Sequence, residues 1–262
     1  MATLSTEDPV AVAVVGAIHA GAVPTLRRLL GEHPGLATTR LGDDDPDGMS
    51  RTLLHVATDW PGHFPNGAAT VAALVEAGAD VNARFRGPHG ETPLHWAASS
   101  DDVDVLDALL DAGADIEAPG AVIAGGTPLA DATAFGQWKA ARRLVERGAQ
   151  TNYFAEASLG LMERLHDYFG GATAGAPDQV GDAFWAACHG GQLEAAAYLL
   201  PFHRPMVERV RVGRAIRGDY RAGVHQEVPR CLRCPGAVGV HGDAGQAGRD
   251  DPSSAGHPGQ IQ

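Results

Sequence analysis

The chain of 262 residues is 44% hydrophobic but only 6% aromatic, and its 34 glycines accompany abundant small apolar side chains, a composition suited to closely packed short helices. The formal net charge of −12 is uneven: residues 1–200 hold 11 basic against 26 acidic side chains, and residues 201–262 hold nine arginines against six acidic residues. A body this acidic is a poor grip for a phosphate backbone, which excludes nucleic acid as an expected partner. The three cysteines, Cys188, Cys231 and Cys234, are too few for a disulfide framework and fit a reducing compartment.

The apolar run from Val10 to Ile18 follows Glu7 and Asp8, not a positive segment, so it does not read as a signal peptide. No further span reaches membrane length, and a cytoplasmic, soluble chain is expected. Pro9 after Asp8 reads as the first residue of a helix behind an acidic N-cap. Next, Asp43, Asp45, Asp47 and Gly48 match the start of a calcium loop. Its twelfth position is Leu54 where a bidentate Glu is needed, and its ninth is Arg51. A solvated acidic connector is the simpler reading.

The middle of the chain repeats. Gly78-Ala79-Asp80-Val81-Asn82, Gly113-Ala114-Asp115-Ile116-Glu117 and Gly148-Ala149-Gln150-Thr151-Asn152 recur with their glycines 35 residues apart. Upstream stand Thr52-Leu53-Leu54-His55, Thr92-Pro93-Leu94-His95 and Thr127-Pro128-Leu129-Ala130. The distance from Thr to Gly is 21 residues in the last two copies and 26 in the first, which places an insertion at Trp60–Pro65. Thr and Pro open a helix, Ala97-Ala98 lets a neighbour approach, and Val105/Leu106 with Leu109/Leu110 form the apolar face of a second helix. Gly113 then ends that helix in a left-handed cap. Neither helix buries its apolar face alone, so such units must stack.

These residues resemble the ankyrin repeat, with its period of about 33 and Thr-Pro-Leu-His-x-Ala opening. The resemblance implies an all-α solenoid. Counting a turn residue nine positions and an apolar pair 17 and 18 positions after the opening extends the frame to Val12 (Gly21, Leu29/Leu30), Thr151 (Gly160, Tyr168/Phe169) and Gly181 (Gly190, Tyr198/Leu199). Six helix-turn-helix units over residues 9–200 are therefore expected, the outer ones degenerate because terminal repeats face solvent. Residues 201–262, rich in Gly, Pro and Arg with Leu232 the one leucine, read as a poorly ordered tail, either a shifted reading frame or an unrelated extension.

Catalytic motifs for serine hydrolases, nucleotide binding and zinc hydrolysis are absent, and Lys139 is the sole lysine, so no enzyme and no cofactor are expected. Cys231-x-x-Cys234, with His225 and His241 sixteen residues apart, lacks a second ligand pair, and no metal is expected there. The resemblance gives His55 and His95 a structural role, bonding backbone and the motif Thr. Cys188 reads as a buried small residue.

The resemblance further implies a scaffold or adaptor that holds a protein partner of unknown identity on its concave face and inter-repeat turn tips. The tips are Arg84–His89 and Pro119–Ile123, where Phe85, Val122 and Ile123 are apolar and Arg86 is charged. The fifth position of the frame runs Gly16, Val56, Trp96, Asp131, Ala155 and Trp185, and its tryptophans are hot-spot candidates or gap fillers. With Asp59, Asp101 and Asp102, Asp131 would favour a basic partner if these residues cluster. The partner-binding set is Phe85, Arg86, Trp96, Asp101, Val122, Ile123, Asp131 and Trp185. Oligomeric state is not legible. The alternatives are an enzyme or metal protein hidden in degenerate repeats, and a truncated chain without a working interface.

Overall fold

The computed structural model describes residues 3–42, 48–170 and 177–202. The acidic run Asp43–Asp47, the Cys231/Cys234 group with His225 and His241, and nearly all of the Gly/Pro/Arg-rich tail lie outside the described residues.

Among the described residues, helices come in six antiparallel pairs. They are α1 (Pro9–His19) with α2 (Val23–Glu32), α3 (Leu53–Thr58) with α4 (Gly67–Glu76), and α5 (Pro93–Ser99) with α6 (Val103–Asp111). Next come α7 (Pro128–Ala134) with α8 (Trp138–Glu146), α9 (Tyr153–Leu159) with α10 (Met162–Phe169), and α11 (Pro177–His189) with α12, helical over 193–202. The first helices α1, α3, α5, α7, α9 and α11 pack in series as one layer, and α2, α4, α6 and α8 form the second. The expected all-α stack of about six units is the fold.

Local chemistry sets the helix ends. Asp8 accepts from the Val10 N–H at 2.7 Å, ahead of Pro9 at the first helical position. Gly78, Gly113 and Gly148 take φ of 95°, 92° and 99°, the left-handed conformation that ends each second helix cheaply only for glycine. α1 and α11 begin earlier than the frame places their openings, so each outer first helix is longer than the seven residues of α5. The final helix-helix turn is also displaced by one residue: Gly191, not Gly190, holds positive φ, at 68°.

The insertion after α3 is not an idle loop. Phe64 stacks on His19 with ring centroids 4.5 Å apart, Asn66 Nδ2 donates to the Gly21 carbonyl at 3.0 Å, and the His63 N–H donates to Asp102 at 2.7 Å. It thereby ties the first helix pair to the third. A three-stranded sheet, unexpected from the sequence, covers the N-terminal end: β1 (Thr3–Leu4) runs parallel to β2 (Arg40–Gly42), and β2 antiparallel to β3 (Ser50–Thr52).

The core follows the layer interface. Leu54, Leu74, Leu94, Leu106, Leu109 and Leu144 are fully buried with the alanines that let the helices approach. A second cluster around Leu165, Phe169, Ala183, Ala187 and Leu199 serves the last two pairs. Charge pairs cross the second layer: Arg143 Nε meets Asp107 at 2.8 Å, Arg147 meets Asp107 at 2.7 Å and Asp111 at 2.6 Å. Among the described residues, no helix is long and apolar enough to cross a membrane.

Candidate interaction surface

The turn tips are built by hydrogen bonds between successive units. Asn82 donates through Nδ2 to the Gly113 carbonyl at 3.2 Å and accepts from the Asp115 N–H at 2.8 Å. Glu117 then accepts from the Gln150 N–H at 2.7 Å. The first tip is also pinned to the sheet, because Ser50 and Arg86 exchange backbone hydrogen bonds of 2.9 Å.

Each motif histidine locks its own helix start to the tip that follows. His55 Nδ1 faces the Thr52 N–H at 3.3 Å and the Thr52 hydroxyl at 2.8 Å, and Nε2 meets the Glu91 carbonyl at 3.1 Å. His95 repeats the pattern with the Thr92 N–H at 3.1 Å, the Thr92 hydroxyl at 2.9 Å and the Gly126 carbonyl at 3.3 Å. A backbone N–H at Nδ1 and a carbonyl at Nε2 fit the neutral ring with the proton on Nε2. Burial, the largest influence, pushes His55 down to about 3 and His95 to about 4. The structural role expected of both residues is the role they have.

Phe85 and Trp96 are brought together, as a trio with His55: centroids lie 5.4 Å apart for Phe85–Trp96, 4.9 Å for His55–Trp96 and 6.3 Å for His55–Phe85. All three rings are at least half-buried, so part of the aromatic surface is spent between units. Val122 and Ile123 are 39% and 47% exposed on the second tip, and Arg86 is exposed on the first. Trp185 is 55% exposed on α11, stacked on Phe154 at 5.8 Å and on His189 at 4.8 Å. His189 in turn meets Trp138 at 5.2 Å. The sequence reading missed this aromatic series, and also the exposed Phe135 at the end of α7.

The acidic residues stand differently from expectation. The fifth frame position contacts the preceding unit, as the Trp96–His55 and Trp185–Phe154 rings show, but its exposure varies along the stack: Trp185 is exposed, Trp96 half-buried and Asp131 enclosed. Asp131, on the same position of α7, is completely buried, so it is not presented to a partner. Among the described residues neither carboxyl oxygen makes a well-formed hydrogen bond, although the Glu91 carboxyl and the Ile123 backbone stand near enough to influence its ionisation. Desolvation first, and the neighbouring Glu91 carboxylate second, push Asp131 up to about 7.

Asp101 is half-buried with φ of 57°, and its carboxylate accepts from the Ala140 N–H at 2.8 Å. Asp102 caps α6, and Asp59 pairs with Arg51. These carboxylates are engaged inside the molecule, which removes the basis for a basic partner. Cys188 is half-buried instead of enclosed.

The most deeply set basic group near the tips, Arg40 on β2, was not singled out from the sequence. It is 7% exposed, and its guanidinium donates to Ser50 Oγ at 2.8 Å, the Ser50 carbonyl at 2.6 Å and the Arg84 carbonyl at 2.8 Å. Arg40 sits in a three-residue strand preceding the first clear repeat, where no motif marks it.

A comparison with curated proteins returns no match. The family model of ankyrin repeats in three copies matches residues 15–120 and 66–155, over half of the chain. With the paired helices, histidine locks and glycine-capped turns already described, that match identifies the chain as a member of the ankyrin repeat family.

Proposed function

We propose that the chain is a protein-binding adaptor whose partner docks on the turn tips and the exposed side of the first-helix layer, the concave face of such stacks. Ankyrin repeats are generally protein–protein interaction modules, and that general role extends to this chain as a family member. The observation that carries the finer reading is the second tip, where Val122 and Ile123 stand exposed on a turn closed by its own hydrogen bonds. Gly120 N–H donates to the Gly125 carbonyl at 2.9 Å, Ala121 N–H to Gly126 at 3.0 Å and Gly126 N–H to Ile123 at 3.1 Å. Apolar side chains held outward on an ordered turn lose little conformational freedom on binding, which favours association. Trp185 supplies a large exposed aromatic anchor on the same helix layer. Phe85 and Trp96, half-buried and in ring contact, belong to the same set of candidate contact residues.

The test is affinity capture from native lysate with wild type and a Val122→Ser/Ile123→Ser variant of unchanged melting temperature. The reading expects a stoichiometric protein retained by wild type and lost by the variant. Equal retention by both baits, or no reproducible partner for wild type, would contradict it.

A further inference from the structure

At the first tip an open depression of about 580 Å3 is lined by Arg40, Arg84, Arg86 and His89, with Phe85 and Asp80 also along it. That volume falls within the roughly 300–1,000 Å3 of small-ligand sites. Among the described residues, Arg27, Arg28, Arg51, Arg143 and Arg147 each meet a carboxylate within 4.0 Å. The three cavity arginines differ. Arg40 donates to a serine hydroxyl and two carbonyls, and Arg84 Nη1 donates to the carbonyls of Gly90, at 2.9 Å, and Pro119. These acceptors position the guanidiniums without cancelling their charge.

A buried cation that meets only neutral acceptors is costly. Burial, and after it the charge of Arg86, hold Arg40 below the usual guanidinium range. The cavity carboxylate, Asp80, accepts from the Asn82 N–H at 2.9 Å and so serves the turn. An anion entering here would relieve like-charge repulsion between Arg86 and the Arg40 and Arg84 guanidiniums that the carbonyls hold in place. Planar guanidinium forks match phosphate oxygens, and a group of nearly two negative charges balances several neighbouring arginines better than one charge does. The acidic body disfavours a long polyanion, which limits the ligand to an isolated phosphoryl group.

The geometry points to a phosphate-monoester site in which Arg40, Arg84 and Arg86 receive the phosphoryl oxygens and Phe85 flanks the organic part. The monoester is either a phosphorylated side chain of a protein or a free phosphorylated metabolite. This inference goes beyond the docking surface above and does not depend on it.

Isothermal titration of the full chain separates these sources, using a phosphoserine peptide, its unphosphorylated and glutamate versions, and adenosine monophosphate. The expected result is binding of at least one phosphate monoester, weakened about tenfold or more by Arg86→Ala at unchanged melting temperature, since Arg86 is exposed and, among the described residues, no ion pair of its side chain joins units. A preference for the phosphopeptide assigns the site to a modified protein; a preference for the nucleotide assigns it to a metabolite. The inference is overturned if neither monoester outbinds the unphosphorylated peptide, if the glutamate peptide binds as tightly, or if Arg86→Ala changes nothing. A variant with Asp43, Asp44, Asp45 and Asp47 changed to Asn adds one more control. Monoester binding by that variant alone would mean that the chain's own acidic segment is the anion, again overturning the inference. Failure of this titration leaves capture through Val122 and Ile123 unaffected, so the two readings fail separately.

Discussion

The Nε2–H of His55 points at the main-chain carbonyl of Glu91, 36 residues further along the chain and 3.1 Å away. The same carbonyl accepts from the Phe85 N–H at 2.7 Å, so one oxygen joins the start of α3, the first turn tip and the lead into α5. His95 makes the next such joint at Gly126. In a stack where each unit touches only its neighbours, such joints carry the coupling between units.

That role makes the stack sensitive to acid. The folded values of about 3 for His55 and about 4 for His95 lie below the unfolded value of 6.5, so the unfolded chain takes up protons first. Stability from these residues is complete above pH 6.5 and is lost as the pH falls toward 4 and then 3, at up to about 1.4 kcal/mol per unit for each histidine. Urea unfolding between pH 7 and pH 5 checks this. A His55→Ala/His95→Ala variant, less stable at pH 7, is expected to lose much less on acidification than wild type does.

Asp131 acts in the opposite direction. Its folded value of about 7 exceeds the usual 3.8, so the folded state holds the proton that the unfolded state releases, and stability declines as the pH rises between these values. Asp131→Asn removes this decline and is expected to stabilise the chain by about 1–3 kcal/mol at pH 7.5. It should also steepen the acid loss between pH 7 and pH 5, because the opposing titration of Asp131 no longer offsets the histidines. A variant less stable than wild type at pH 7.5 would contradict the cost assigned to burying this carboxyl beside Glu91.

Asp101 combines strain with a useful contact. It sits at φ of 57°, where Gly136 stands in the following unit, and its carboxylate holds the Ala140 N–H. Asp101→Ala keeps the strained backbone and loses the bond, and is expected to cost about 1–2 kcal/mol. Asp101→Gly loses the bond but relieves the strain, so it should cost less. Chemical denaturation of the two variants decides the order.

Gly190 has no room for a side chain. A Cβ there would lie 1.9 Å from the Ser158 carbonyl, so α11 and α9 would have to part. Gly190→Ala is expected to destabilise the last two helix pairs by about 2 kcal/mol or more through overpacking. Hydrogen exchange should show the loss over residues 153–200 and much less over α3–α6.

Features written in local chemistry were legible in the sequence. The Thr-Pro-Leu-His starts, the glycine turns 35 residues apart, the Asp8–Pro9 cap and the insertion after Thr58 each depend on a few adjacent residues, and all appear where expected. Non-local placements were not. β1 has two residues and pairs with a strand far along the chain, too little for a period-two pattern to register. Arg40 gains its meaning from Ser50 and Arg84, which it meets only in the fold. Asp131 shared a frame position with two tryptophans, and the frame does not reveal that this position is enclosed in α7 while it is exposed at Trp185. Exposure of Val122 and Ile123 was readable because the turn chemistry around them already demanded a surface loop.

The docking claim is tested most directly by site-specific photo-crosslinking from four positions of the full chain in native lysate. Ile123 and Trp185 lie on the proposed surface; Glu76 and Asp104 are exposed on the second helices. The proposed adaptor function predicts one protein crosslinked from positions 123 and 185 and not from 76 and 104. The same protein captured from 76 or 104, with none from 123 and 185, would contradict it.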